Sequence, residues 1–212
     1  MTIVITGASR GIGAGLVKAY AARGEDVIGT TRHGEHVLEV TDPNSHSAFA
    51  HTLEGRPVDL LICNAGVYLD KGQVLDGGYP AAQWADSFAT NVMGVFLTIQ
   101  ALLPNLRAAP SAKIAIISSQ MASSQQAPGG SYIYRASKAA VLNLGRNLAS
   151  DLKPEGIAVG IYHPGWVKTD MGSQAAAIDV AEAVAGLTER FDILDLSSTG
   201  VFETWDGRAH AY

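Results

Sequence analysis

A single cysteine, Cys63, stands in 212 residues. One thiol forms no intramolecular disulfide, so a disulfide-stapled extracellular scaffold is excluded and a reducing, cytoplasmic setting is expected. Cys63 closes the apolar run of residues 60–63, with no charged or histidine neighbour to lower its pKa, and reads as a buried small hydrophobe. Charge is equally sparse: charged residues make up 17% of the chain and the net charge is −5. Lysines and arginines are scattered, with no basic run longer than a residue or two. Nucleic acid and anionic membrane surfaces are therefore excluded as partners. No apolar stretch approaches the ~20 residues of a membrane span, and the chain opens on a strand pattern with no signal peptide. The histidines (His33, His36, His46, His51, His163 and His210) have no ligand spacing, so no metal is expected.

What is present is enough apolar content, 47%, for a core of ordinary size, and one domain spanning 1–212 is expected. Strand patterns fall at residues 2–6, 27–31, 37–40, 58–63, 113–118, 157–162 and 200–204. Helical patterns fall between them, at 13–23, 43–53, 81–106, 134–152 and 180–187. In the longest helix, Phe88, Val92, Val95, Phe96 and Ile99 recur at three-to-four spacing. Strand and helix alternate without a linker, which implies a doubly wound α/β fold: a parallel sheet with helices on both faces.

The junction of the first strand and first helix reads Gly7-Ala8-Ser9-Arg10-Gly11-Ile12-Gly13. Glycines there allow a tight turn and let backbone N–H groups approach a pyrophosphate, which the helix N-terminus also attracts. The same residues spell Gly-x-Ser-x-Gly, the elbow of a serine hydrolase with Ser9 as nucleophile. That alternative fails on chain order, because no earlier strand exists to supply an oxyanion loop. The second strand ends in Thr30-Thr31-Arg32, with no carboxylate until Glu35 to hold a ribose 2′-hydroxyl. Arg32, with Arg10, suits a 2′-phosphate, so NADP(H) is preferred over NAD(H). Tyr134 and Lys138, at i and i+4, share a helical face. An ammonium beside a phenol favours the phenolate and draws its pKa down from about 10.

Together with Asn64-Ala65-Gly66 after the fourth strand and Ser118-Ser119 after the fifth, this order of motifs resembles the short-chain dehydrogenase/reductase family over essentially the whole chain. Tyr-Arg-Ala-Ser-Lys and the His163–Gly172 stretch look most like its C-factor-like carbonyl reductases. The resemblance implies a Rossmann-type sheet of about six to seven strands in the order 3-2-1-4-5-6-7. It also implies NADP(H)-dependent, reversible hydride transfer between nicotinamide and a carbonyl or secondary alcohol. Tyr134 is then the general acid/base, Lys138 tunes it and holds the ribose, Ser119 orients the carbonyl and Asn91 completes a proton relay. Ser118 is an alternative to Ser119. Tyr132 fits the usual Ser-to-Tyr spacing better than Tyr134, but its i+4 partner is Ala136.

The resemblance assigns the cofactor to Gly7, Ser9, Arg10, Gly11, Ile12, Gly13, Arg32, the Val40 backbone, Asn64, Ala65 and Gly66. Tyr134, Lys138, Pro164, Gly165, Val167 and Thr169 complete that set. Glu39 stands where many relatives carry the aspartate turned toward adenine, so the resemblance carries over the Val40 backbone contact and not that side chain. Tyr68, Trp166 and Met171 are candidate pocket walls, and a short connection after Thr169 predicts an open pocket. A cofactor-sensing or signalling role with little turnover is the second reading, and a homodimer or homotetramer is the family expectation.

Overall fold

β-branched and leucine-rich runs form the strands, because a strand covered by helices on both faces has no polar side. In the computed structural model, which describes residues 1–172 and 175–212, six strands form one parallel sheet in the order β2-β1-β3-β4-β5-β6. They are β1 (Thr2–Ile5), β2 (Asp26–Gly29), β3 (Leu60–Cys63), β4 (Lys113–Ile117), β5 (Ala158–His163) and β6 (Phe202–Thr204). β1 pairs with β2 on one side and β3 on the other. The chain therefore reverses its direction of travel at β1, and such a switch point opens a crevice at the strands' carboxyl ends.

The expected strand order is recovered with one correction. Residues 37–40 contribute only a single parallel bridge, Thr31 to Val37, and no strand. Leu38 and Val40 are buried, but Glu39 folds its carboxylate back to accept from the Thr41 N–H (3.1 Å) and hydroxyl (2.9 Å). That local turn competes with strand pairing at the sheet edge.

Helices cover both faces. On one lie α1 (Gly11–Ala22) and α6 (Val180–Ile193), with Leu16, Tyr20, Leu187 and Phe191 packed on Ile3, Ile5 and Ile62. On the other lie α2 (Pro43–Thr52), α4 (Gly94–Ala108) and α5 (Tyr132–Leu152), with Phe49, Ile99, Leu102 and Val141 packed on Val4, Leu61 and Ile116. A short helix α3 (Ala81–Phe88) runs into α4 through one wide π-helical turn, Ala89–Met93. The extra residue of that turn shifts the helix face. Val95 and Ile99 are buried as expected while Phe96 stays exposed.

The whole run Ala81–Ala108 spans 28 residues with a mean hydropathy of 1.3 in its most apolar window, and by length and composition alone it is enough to cross a membrane. This corrects the expectation that no such stretch exists. Buried Asn91, Thr98 and Asn105 along it make it an inner wall of this fold.

Asn105 ties that wall to the α2–β3 connection. Its Nδ2 donates to the carbonyls of Leu53 and Arg56, and its own carbonyl accepts from the Val58 N–H. Asn105→Ala removes both side-chain bonds, one of them buried, a loss of about 1–3 kcal/mol. Urea denaturation is expected to show a lower midpoint at unchanged slope; an unshifted midpoint would refute the tie.

Candidate active site

The glycine turn is built around contacts too close for side chains. Gly7 has φ 69°, and a Cβ on it would lie 2.8 Å from the Ala65 Cα. A Cβ on Gly13 would stand 2.3 Å from the Gly7 carbonyl and 2.6 Å from Asn64 Nδ2. These positions bring the predicted Gly7–Gly13 turn directly against the predicted Asn64-Ala65-Gly66. Asn64 Nδ2 donates to the carbonyls of Thr6 (3.0 Å) and Gly7 (3.1 Å). The Thr6 hydroxyl accepts from the N–H groups of Asn64 and Ala65, both at 3.0 Å. α1 starts at Gly11 with no side-chain cap and no acidic residue in its first turn, so its leading N–H groups face the crevice unneutralised. Ser9 and Arg10 are exposed on the turn and Ile12 is partly buried behind it.

Asn91 sits in the π-helical turn, 1% exposed. Its Oδ1 accepts from the Val67 N–H (2.8 Å), and its Nδ2 donates to the Val67 carbonyl (2.9 Å) and Ser137 Oγ (3.0 Å). Ser137 Oγ in turn donates to the Tyr134 carbonyl (2.8 Å). Asn91 thereby links the segment after β3 to α5. A Cβ on Gly66 would lie 3.2 Å from Asn91 Oδ1 and 3.5 Å from Lys138 Nζ, so Asn91, Gly66 and Lys138 meet at one point.

Lys138 and Tyr134 are both buried. Lys138 Nζ donates to the Ile117 carbonyl at 3.0 Å and stands 5.7 Å from the centre of the Tyr134 ring. Burial lowers the lysine to about 8. Burial likewise pushes the Tyr134 phenol up to about 12, with the Ser119 hydroxyl beside it acting in the opposite direction and the neighbouring Tyr68 ring and the Asp70 carboxylate adding to the rise. The expected depression of the phenol by Lys138 is thus not seen in this fold. The ammonium lies over the ring rather than on the hydroxyl, and desolvation of both groups dominates. The two serines separate clearly. Ser118 Oγ is spent on the Lys138 carbonyl (3.1 Å), whereas Ser119 Oγ accepts only from the Met121 N–H (3.1 Å) among the described residues and lies at Tyr134.

After β5, Pro164 and Gly165 turn the chain across the carboxyl ends of the strands. Val167 is buried and bridges to Ile178, and a Cβ on Gly11 would touch Thr169 Cγ2 at 3.4 Å. Arg10 is paired with Asp170, two side chains that are 75% and 76% exposed, and Lys71 Nζ donates to the Met171 carbonyl at 3.1 Å. Trp166 and Met171 are exposed at this edge. Arg32 is exposed past β2. The Val40 carbonyl is held by His46 Nε2 at 3.0 Å, and Val40 packs on Gly94. His163 is buried, its pKa lowered to about 4 by desolvation and by His210.

Three residues at the site carried no sequence signal as members of it. Thr6 falls at the end of the strand pattern 2–6, Ser137 falls between Tyr134 and Lys138, and no motif marks Asp70. Tyr68, expected as a pocket wall, stacks on Tyr134 with ring centroids 4.2 Å apart.

Comparison with known proteins agrees with this architecture. Residues 36–179 match the model of the short chain dehydrogenase family. The chain is 37% identical to the C-signal protein of Myxococcus xanthus over 161 residues, 76% of this chain and 96% of that one. It is 32% identical over 225 aligned positions to the 1-hydroxy-2-glutathionyl-2-methyl-3-butene dehydrogenase of Rhodococcus sp. strain AD45, covering 97% of each. The NADPH-bound carbonyl reductase from chicken fatty liver superposes with a TM-score of 0.91 at 31% identity, covering 100% of this chain and 98% of the other. With its glycine turn, its parallel sheet and these relatives, the chain belongs to the short-chain dehydrogenase/reductase family of oxidoreductases.

Proposed function

We propose that this chain is an NADP(H)-dependent carbonyl reductase, acting reversibly on an aldehyde, ketone or secondary alcohol, with residues 1–212 as one catalytic domain. The observation that carries the reading is the meeting of Ser119, Tyr134 and Lys138 beside Gly66 and Asn91, in the crevice that the glycine turn opens.

The residues fit the cofactor. Lys138 is a buried cation with only the Ile117 carbonyl as partner among the described residues, so two of its three donors are free for ribose hydroxyls. The uncapped start of α1 offers amides from Gly11, Ile12 and Gly13 to a pyrophosphate. Gly7, Ser9, Asn64, Ala65 and the Val40 backbone line the approach, and Pro164, Gly165, Val167 and Thr169 take the nicotinamide end. Arg32 is exposed. The Arg10–Asp170 pair is so exposed that it holds little energy, and Arg10 can be drawn to a 2′-phosphate beside Arg32. NADPH bound there supplies the hydride.

The protein does the rest. Ser119 Oγ donates to the substrate oxygen and orients it. Tyr134 Oη gives that oxygen its proton in reduction and takes it back in oxidation. Lys138 and Asn91 return a proton from solvent to Tyr134 in reduction and lead it out to solvent in oxidation. The substrate enters between Tyr68, Trp166 and Met171. Exposed Trp84 on α3, Met93 in the π-helical turn and Phe96 on α4 suit a homodimer or homotetramer, and the buried lone thiol of Cys63 suits a cytoplasmic setting. The kinship to a protein named C-signal favours a second reading, a cofactor-binding signalling protein with little turnover. Tight NADPH binding without oxidation of any carbonyl in a broad panel would support it.

Tyr134→Phe removes the acid and keeps the ring. Turnover is expected to fall by at least about 10²-fold with NADPH affinity unchanged; full activity would overturn the assignment of the acid. Arg32→Ala is expected to weaken NADPH by roughly ten- to a hundredfold, the worth of a hydrogen bond to a charged group, and to leave NADH unaffected. Equal losses for the two nucleotides would refute the 2′-phosphate contact. With Lys138 lowered to about 8, its ammonium is present below that pH and is lost as pH rises through it. NADPH affinity, followed by nicotinamide fluorescence, should decline above about pH 8; a constant affinity from pH 6 to 9.5 would contradict the ammonium–ribose contact.

A further inference from the structure

The helix that carries Tyr134 and Lys138 begins without a cap of its own. Ser131, just before its first turn, is in the left-handed region at φ 48° and gives the helix no side-chain bond. Its hydroxyl is turned to Tyr68 Oη instead. The first-turn amides are met by a residue 63 positions away: the Asp70 carboxylate accepts from the Ile133 N–H at 2.9 Å and the Tyr134 N–H at 3.2 Å. Asp70 has no exposed surface. A carboxylate taken out of water is costly unless donors surround it, and here the donors are amides at the positive end of a helix.

The segment around Asp70 is held at its other end too. Val67 is clasped through both its N–H and its carbonyl by the Asn91 side chain, and Tyr68 lies flat on the Tyr134 ring. Residues 67–70 thus form a strut from Asn91 to the start of α5. Serine is a favoured local cap, yet Ser131 does not serve as one. The start of α5 is fixed by the strut and not by its own sequence.

We propose that Asp70 is a positioning residue for proton transfer: by capping α5 from the β3–α3 segment it fixes where the Tyr134 hydroxyl stands relative to Ser119 and holds a negative charge against the phenol. This rests on Tyr134 being the general acid/base. The groups that face Tyr134 are Tyr68 and Asp70 on the strut, Lys138 on its own helix and Ser119 after β4. Of these, Asp70 opposes ionisation of the phenol by its charge. Neutralising it lowers the phenol's pKa, so the alkaline loss of carbonyl reduction, which needs the protonated phenol, moves to lower pH.

The test is Asp70→Asn in the NADPH-loaded protein, followed as kcat and KM against pH with a carbonyl substrate. Expected are unchanged NADPH affinity, a kcat lower by about ten- to a hundredfold, the cost of a misplaced catalytic group, and an alkaline limb shifted to lower pH. Asp70→Asn with the unmutated kcat and pH profile would overturn the proposal. If Tyr134→Phe is itself active, the underlying acid/base reading fails instead. Hydrogen exchange of the unmutated protein decides the cap even if the variant does not fold. The Ile133 and Tyr134 amides should exchange as slowly as those of the helix interior, and exchange at the unprotected rate would overturn the proposal.

Discussion

Four hydrogen bonds lace the end of β1 to the end of β3, and the crevice takes its shape from them. The Thr6 hydroxyl accepts from two successive amides, at Asn64 and Ala65, while the Asn64 side chain returns two bonds to the carbonyls of Thr6 and Gly7. Parallel strands splay where their ladder ends, and a crevice at a switch point leaves backbone groups there without sheet partners. This lacing satisfies them and holds the glycine turn within contact of Ala65. Because a Cβ on Gly7 or Gly13 would collide with that same backbone, the glycines are required by the lacing itself, whatever else binds in the crevice.

From that knot the chain passes through Ala65 and Gly66 to Val67, and the polar network runs inward from there: Val67 to Asn91, Asn91 to Ser137, Ser137 to the Tyr134 carbonyl. Most of it is buried, where an unmet polar group costs more than a met one returns. Each member is bonded to the next, so the network acts as a rigid frame. Its burial has a second effect. It pushes Tyr134 up to about 12 and Lys138 down to about 8, so both groups lean toward their neutral forms. The Tyr134 phenol therefore keeps its proton through the neutral range, and its ionisation would require a positive charge beyond those the buried frame supplies.

Much of this was legible in the sequence, for reasons that differ by residue. The strands showed because a sheet covered on both faces needs uninterrupted apolar runs. The glycine turn and the Tyr134–Lys138 pair showed because each depends on fixed local spacing. The parallel sheet followed from the alternation of strand and helix, and the order of its strands from the family resemblance. Residues 37–40 misled because Leu38 and Val40 are buried like strand residues, while the Glu39 side chain takes up the turn in a way that composition does not reveal. The true start of α5, at Tyr132 rather than Tyr134, was hidden because its cap lies 63 residues away. A cap supplied through space leaves no mark beside the helix it starts. Ser118 and Ser119 were equal in sequence and differ only in what each hydroxyl meets after folding.

The contacts that cross the mouth of the crevice are of another kind. Arg10 reaches Asp170 and Lys71 reaches the Met171 carbonyl, and these side chains stand largely in water. Exposed pairs of this type are screened by salt and return little against the entropy of holding long side chains still. The frame below them is buried and bonded throughout. A ligand entering here therefore meets its resistance at the surface, where it is cheap to displace, and its selection below, where the geometry does not yield. The division places recognition in the buried frame and leaves entry to weak, exchangeable charges. An anion entering at this edge would displace the Asp170 carboxylate from Arg10 without disturbing a single bond of the frame that holds Tyr134.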